Sequence, residues 1–86
     1  KIAVEVKSFI GSSAISEFHT ALGQFLNYRI ALEISTEPDR ILYLAVLDDA
    51  YQAFLRFEPA KTAIDRYDVR LITYNSDQGA IIQWIE

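Results

Sequence analysis

The sequence contains no cysteine, and this absence excludes disulfide bonds and zinc sites built on thiolates. It contains a single histidine, His19, so a metal site made of several imidazoles is excluded as well. No apolar run approaches the roughly 20 residues that cross a membrane as a helix. The longest run, residues 41–47, has the length of a β-strand, and we expect no membrane partner.

An excess of basic residues is also lacking. Eight Lys and Arg residues stand against twelve Asp and Glu residues, which gives a formal net charge of −4. Such a balance argues against a general polyanion-binding surface. Any contact with nucleic acid is therefore expected to be local, or to depend on a metal ion, on a partner or on residues outside this chain.

Methionine is absent too, and a strand pattern begins directly after Lys1. Because synthesis starts at methionine, we expect these 86 residues to form one domain that is a fragment of a larger fold. The hydrophobic share of 51% suits such a fragment, a two-sided sheet or an oligomer contact, so a homo-oligomer stays open. The lack of cysteine fits a reducing compartment, and we expect a cytoplasmic location.

Hydrophobic periodicity predicts an α/β domain with a mixed sheet and the element order β-α-β-α-β-β. The predicted strands cover residues 2–7, 41–47, 69–74 and 80–85, and the predicted helices cover residues 14–33, about 50–55 and about 59–66. The two crossovers imply parallel neighbours, and the turn at residues 75–79 implies a final antiparallel hairpin. Ser12 or Ser13 is the expected N-cap of the long helix.

The first predicted strand alternates between two sets of side chains. We expect Ile2, Val4 and Val6 to enter the core. Glu5 and Lys7 then share the other face, roughly 6–7 Å apart. A carboxylate that holds a divalent cation beside an ammonium that faces a phosphate would need this spacing. The alternative is a solvated strand face with a weak ion pair.

Gln24 and Tyr28 are four residues apart and therefore share one face of the long helix. This face lies off the apolar stripe of the helix and also carries Glu17. In the functional interpretation it looks toward Glu5 and Lys7, and the amide and the phenol bind a phosphate or orient a ligand. The alternative interpretation is a solvated helix face with a half-exposed tyrosine.

Other charged residues have simpler explanations. Asp48 and Asp49 follow a strand and could bind a cation, but Asp49 as a helix N-cap is sufficient. Arg29 is expected to pair with Glu33 one helical turn later, and a role in an interface is the alternative.

Two motifs resemble the PD-(D/E)xK nuclease superfamily. Glu5-Val6-Lys7 resembles its E-x-K element at the end of a core strand, and Gln24-Phe25-Leu26-Asn27-Tyr28 resembles the Q-x-x-x-Y element of the next helix. The chain more narrowly resembles the XisH family, over nearly its whole length. The segments that carry this likeness are residues 2–9, 21–24, 38–46 and 81–85. Members of this family are cyanobacterial controlling factors for excision of a DNA element during cell differentiation.

The resemblance implies a restriction-endonuclease-like core that lacks its N-terminal helix and strands. In an intact site Glu5 and the carbonyl of Val6 would bind Mg²⁺ or Mn²⁺, and Lys7 would orient water or stabilise charge on the scissile phosphate. Gln24 and Tyr28 would hold DNA or the position of Lys7. The superfamily takes a second carboxylate from the preceding strand, which has no counterpart here, so the metal site is expected to be incomplete.

The function that the resemblance implies is that of a nuclease-fold controlling factor for programmed excision of a DNA element. DNA is then one partner, and a recombinase or a second controlling factor is another. The alternative is a catalytically silent module that assists a site-specific recombinase through protein contacts. The acidic charge and the apolar surplus favour the alternative, whereas the two motifs favour chemistry.

Overall fold

The computed structural model describes residues 2–9 and 13–85. Its strands are β1 (Ile2–Lys7), β2 (Ile41–Leu47), β3 (Arg70–Asn75) and β4 (Ala80–Ile85). Its helices are α1 (Ala14–Glu33), α2 (Asp48–Ala50), which continues as a π-helical turn over Tyr51–Leu55, and α3 (Ala60–Arg66). The predicted α/β class with a mixed sheet is confirmed.

The sheet has the strand order β1-β2-β3-β4. The first two neighbouring pairs are parallel, and β4 is antiparallel to β3 with a bulge between Thr73 and Tyr74. Gly79 closes the hairpin with a φ of 63°, a left-handed conformation that glycine adopts without strain. Its N–H donates to the carbonyl of Asn75 at 2.7 Å, so the predicted turn is present.

Helix α1 begins where the sequence predicts. The side chain of Ser13 accepts a hydrogen bond from the backbone N–H of Ser16 at 3.3 Å and so caps the helix. The other predicted cap, Ser12, lies outside the described residues. Phe18, Ala21 and Phe25 are buried, so the apolar stripe of α1 is the face that packs on the sheet.

The main core lies on the helix-covered side of the sheet, and a smaller buried cluster of Tyr43, Ala45 and Ile72 lies on the other face. One buried cluster joins residues of α1, the π-helical turn and α3 to those of β2 and β3: Phe18, Phe25, Leu42, Leu44, Val46, Leu55, Ala60, Ile64, Val69 and Leu71. Both parallel crossovers step in the same direction along the sheet. Since such crossovers are right-handed, they place their helices on the same face and leave the other face without a helix.

This open face corrects one expectation. Ile2, Val4 and Val6 are 42%, 46% and 59% exposed, so the prediction that they enter the core is wrong. They line an open apolar groove of about 340 Å³ that ends at Trp84. The ring of Trp84 meets that of Tyr43 edge-on, with 5.2 Å between the centroids, and helps to bury Tyr43 without a helix.

Two local expectations are also corrected. The N-cap of α2 is Leu47 and makes no side-chain capping bond, so Asp49 is not the cap. The guanidinium of Arg29 donates to the main-chain carbonyls of Tyr67 and Asp68, at 2.8 and 3.0 Å, rather than to Glu33. Arg29 thereby fastens the turn before β3 to α1.

Candidate functional site

Glu5 and Lys7 lie on the helix-covered face of β1, because the alternation of the strand turns Val4 and Val6 to the open face. The Lys7 Nζ atom is 3.4 Å from the Glu5 Oε2 atom. The two side chains are only 26% and 23% exposed. Glu5 and Lys7 therefore form a partly shielded ion pair within β1, on the face that α1 covers.

The Lys7 side chain lines a pocket of about 270 Å³ at the carboxyl end of β1. The first two turns of α1 supply the opposite wall through Ser16, Glu17 and Thr20, and Ser8 lies at the rim. An ammonium group among three hydroxyl groups can donate several hydrogen bonds to one tetrahedral oxyanion. The Glu17 carboxylate limits the positive charge of this pocket.

Glu5 borders a second, more apolar cavity of about 490 Å³, which continues toward the amino end of β1. Tyr28 lies on its far side, and Ala3, Ala31 and Leu32 form its apolar surface. The structure therefore places the predicted carboxylate and the predicted phenol on one cavity. The absence of large side chains at Ala3 and Ala31 leaves this space open.

Gln24 lies on the same stripe of α1, between the Lys7 pocket and Tyr28. Its Oε1 atom is buried and has no hydrogen-bond partner among the described residues. The described residues also show no hydrogen bond from Gln24 to Glu5 or Lys7. The structure thus brings Glu5, Lys7 and Tyr28 to adjoining cavities, and Gln24 is not among the residues that line either one.

The donor set does not fit a complete divalent-metal site. Within residues 2–9 and 13–85, no three His, Cys, Asp or Glu side chains come together in a way that could hold a metal ion. The Val6 side chain lies on the open face, so only its main-chain carbonyl could serve as a ligand. The Glu5 carboxylate already faces the Lys7 ammonium. One carboxylate and one carbonyl are too few for a well-held Mg²⁺.

Ser16 and Thr20 line the candidate site and were missed by the sequence analysis, which noted Glu17 only as a neighbour of Gln24. Ser16, Thr20, Gln24 and Tyr28 follow one another at spacings of four residues, which defines a single stripe of a helix. That stripe was a usable signal. The sequence does not show that β1 packs beneath this stripe of α1.

The family follows from a comparison of the chain with family models. The model described as XisH protein matches residues 1–82. The chain belongs to the XisH family. Among the curated proteins no match was found.

Two solved structures share the fold of this XisH chain over 99% of its length. An XisH family protein from Nostoc punctiforme PCC 73102 is 52% identical with a TM-score of 0.93, and an fdxN element excision controlling factor protein from Anabaena variabilis is 53% identical with a TM-score of 0.92. The chain covers 66% of each of those longer chains, slightly less than two thirds. None of the helices in the described residues is long and apolar enough to cross a membrane.

Proposed function

We propose that this chain acts in the control of DNA-element excision and contributes the phosphate-binding part of a nuclease-like site. Membership of the XisH family and the name of the Anabaena relative support the biological role. The pairing of Glu5 with Lys7 beside a hydroxyl-lined pocket supports the chemistry. The proposal includes that the chain has the restriction-endonuclease-like core of the PD-(D/E)xK superfamily.

Lys7 is the residue that binds the phosphate. Its ammonium faces Ser8, Ser16 and Thr20, and a backbone phosphate oxygen in the pocket would accept hydrogen bonds from all of these groups. Glu5 holds the ammonium in place from the opposite side at 3.4 Å. Lys7 therefore meets the phosphate in a fixed position, as electrostatic stabilisation of a developing charge requires.

Tyr28 and Gln24 have supporting roles. Tyr28 lies across the cavity from Glu5 and is 45% exposed, so its ring and hydroxyl can contact a sugar or a base next to the bound phosphate. Gln24, whose Oε1 atom is buried, would position the groups around Lys7. The described residues supply a single carboxylate, so we expect this chain by itself to cleave DNA weakly or not at all. The comparisons do not favour the catalytically silent alternative.

Binding of a fluorescent DNA duplex tests the proposal, measured by anisotropy without divalent metal. Lys7→Ala should weaken binding about tenfold, because a charge-assisted hydrogen bond is lost. Glu5→Gln should tighten binding, because it removes a carboxylate that competes with the phosphate for Lys7. The opposite signs at neighbouring positions distinguish a phosphate pocket from a structural ion pair, whose loss would weaken binding in both variants.

The matched control is Lys61→Ala. Lys61 is an exposed lysine of α3 that also pairs with a carboxylate, that of Asp65 at 3.2 Å, but it lies outside the candidate site. This variant should change the affinity less than twofold. Equal affinities of wild type and Lys7→Ala would refute the proposed role of Lys7. Metal-dependent nicking of plasmid DNA by the 86-residue chain, abolished in Lys7→Ala, would show that the site is complete.

A further inference from the structure

Three of the eight basic residues line a single pocket at the other end of the sheet. Arg29 reaches it from α1, Arg40 precedes β2, and Arg70 is the first residue of β3. The pocket has a volume of about 150 Å³. In a chain with a net charge of −4, this is a local concentration of guanidinium groups.

The three guanidinium groups differ in how many of their N–H groups already have a hydrogen-bond acceptor. Arg29 uses two nitrogens on main-chain carbonyls and is thereby held in place. Arg40 donates from one terminal nitrogen to Glu37, but its Nε atom is buried and has no acceptor among the described residues. Arg70 is 4.0 Å from the carboxylate of Asp68, which is 76% exposed.

The Arg40 Nε atom and the Arg70 guanidinium can therefore bind a further hydrogen-bond acceptor. A buried N–H group without a partner is costly, and a shift of the Arg40 side chain that brings its Nε atom to an oxyanion in the pocket would remove that cost. The contact between Arg70 and the exposed Asp68 is longer than a hydrogen bond, and such surface pairs contribute little. An anion can therefore replace Asp68 as the partner of Arg70 at a small cost in free energy.

The acidic neighbours limit which anion fits. Glu33 and Asp68 also line the pocket and Glu37 pairs with Arg40, so three carboxylates balance the charge of the three guanidinium groups. A group that binds here must offset that balance with several directed hydrogen bonds. Phosphate does so, because its oxygens match the planar donor pattern of guanidinium groups.

We propose that Arg40 and Arg70, with Arg29 as the fixed wall, form a phosphate-binding pocket that is separate from the one at Lys7. Lys7 ends β1, whereas Arg40 and Arg70 lie where the parallel strands β2 and β3 begin, so about one strand length of roughly 15–20 Å separates the two pockets. The phosphate comes either from a DNA backbone or from the free anion. Only the DNA source rests on the proposed function.

NMR of the ¹⁵N-labelled chain tests this pocket through the Nε–Hε signals of the arginines. The signal that disappears in Arg40→Gln identifies Arg40. In one arm inorganic phosphate is titrated, and in the other a short DNA duplex is titrated. The Arg40 signal should shift in a saturable way, and Arg70→Gln should weaken binding about tenfold by the same signal. Arg40→Gln should weaken binding about tenfold as well, followed through the Nε–Hε signal of Arg70.

The matched control is Arg66→Gln, which removes the same charge from an exposed position on α3 outside the pocket. It should change the affinity less than twofold. A shift with both titrants or with the duplex alone supports a DNA phosphate, and a shift with inorganic phosphate alone supports the free anion. A stationary Arg40 signal in both arms overturns the proposal, as does an equal loss in Arg66→Gln.

Thermal melts of the variants separate loss of binding from loss of the fold. If Arg40→Gln does not fold, the wild-type titration is followed through the Nε–Hε signal of Arg70, which Arg70→Gln identifies, and a stationary Arg70 signal then overturns the proposal. Lys7→Ala should leave the Arg40 titration with inorganic phosphate unchanged. A failure of the proposed role of Lys7 is therefore distinguishable from a failure of this pocket.

Discussion

Two valines on opposite faces of the sheet should respond very differently to truncation. Val46 on β2 has no exposed surface, whereas Val6 on β1 is 59% exposed on the open face. Val46→Ala removes two fully buried methyl groups, and each buried group of this size contributes about 0.8 kcal/mol. With the cavity that remains, the expected loss in the free energy of unfolding is about 2–3 kcal/mol.

Val6→Ala should cost much less. Only about two fifths of the Val6 side chain is shielded, so the same transfer calculation, without a cavity, gives about 0.6 kcal/mol. The lower strand propensity of alanine adds a few tenths of a kcal/mol in both variants and does not change the contrast. In a chain of 86 residues, the loss at Val46 corresponds to a decrease in Tm of roughly 10–20 °C.

Urea unfolding of both variants, followed by circular dichroism and by Trp84 fluorescence, measures the two losses. Each curve is recorded at a low and a high protein concentration, because association through the open face would add a concentration-dependent cost at Val6 only. A loss of 2 kcal/mol or more for Val6→Ala at the low concentration would refute the assignment of the main core to the helix-covered face. Equal losses at the two positions would do the same.

The remaining predictions concern two polar contacts of the fold. Arg29→Met removes two hydrogen bonds to the turn before β3 and the contact of the guanidinium with the Phe25 ring, whose centroid is 5.3 Å from Cζ. We expect the free energy of unfolding to decrease by about 1–2 kcal/mol in urea titrations, and a decrease below about 0.5 kcal/mol would contradict this. Glu58 accepts hydrogen bonds from the hydroxyl and the N–H of Thr62, which hold the pKa of its carboxyl below the ordinary value of 4.5. Its contribution to stability should therefore be present above about pH 4.5 and disappear as the pH falls through the lowered pKa, so the stability difference between wild type and Glu58→Gln should shrink between pH 6 and pH 3.

Local sequence signals predicted most of the elements. The uninterrupted run at Ile41–Leu47 forms β2, and Ala14–Glu33 forms α1 with Ser13 as its cap. Gly79 ends the hairpin turn. These features depend on contacts between residues close in sequence, such as a cap bond, a helical period or a turn conformation. Such contacts can be recognised without the rest of the fold.

The candidate site was predicted only in part, since its residues come from elements distant in sequence. The motif spacings indicated Glu5, Lys7 and Tyr28, and the structure places them on adjoining cavities. Ser16 and Thr20 were not recognised, because their relevance depends on where the first turns of α1 meet the end of β1. Arg40 and Arg70 are 30 residues apart in sequence and meet only because β2 and β3 are parallel neighbours.

The sequence by itself determined the elements, the alternation of β1 and the family, because each depends on short-range patterns or on likeness along the chain. Only the tertiary structure decided which face of β1 is covered. Alternation divides the side chains into two sets but assigns neither set to the interior. Two crossovers of the same hand and direction placed the helices over Ala3, Glu5 and Lys7, and the apolar set of Ile2, Val4 and Val6 remained on the open face.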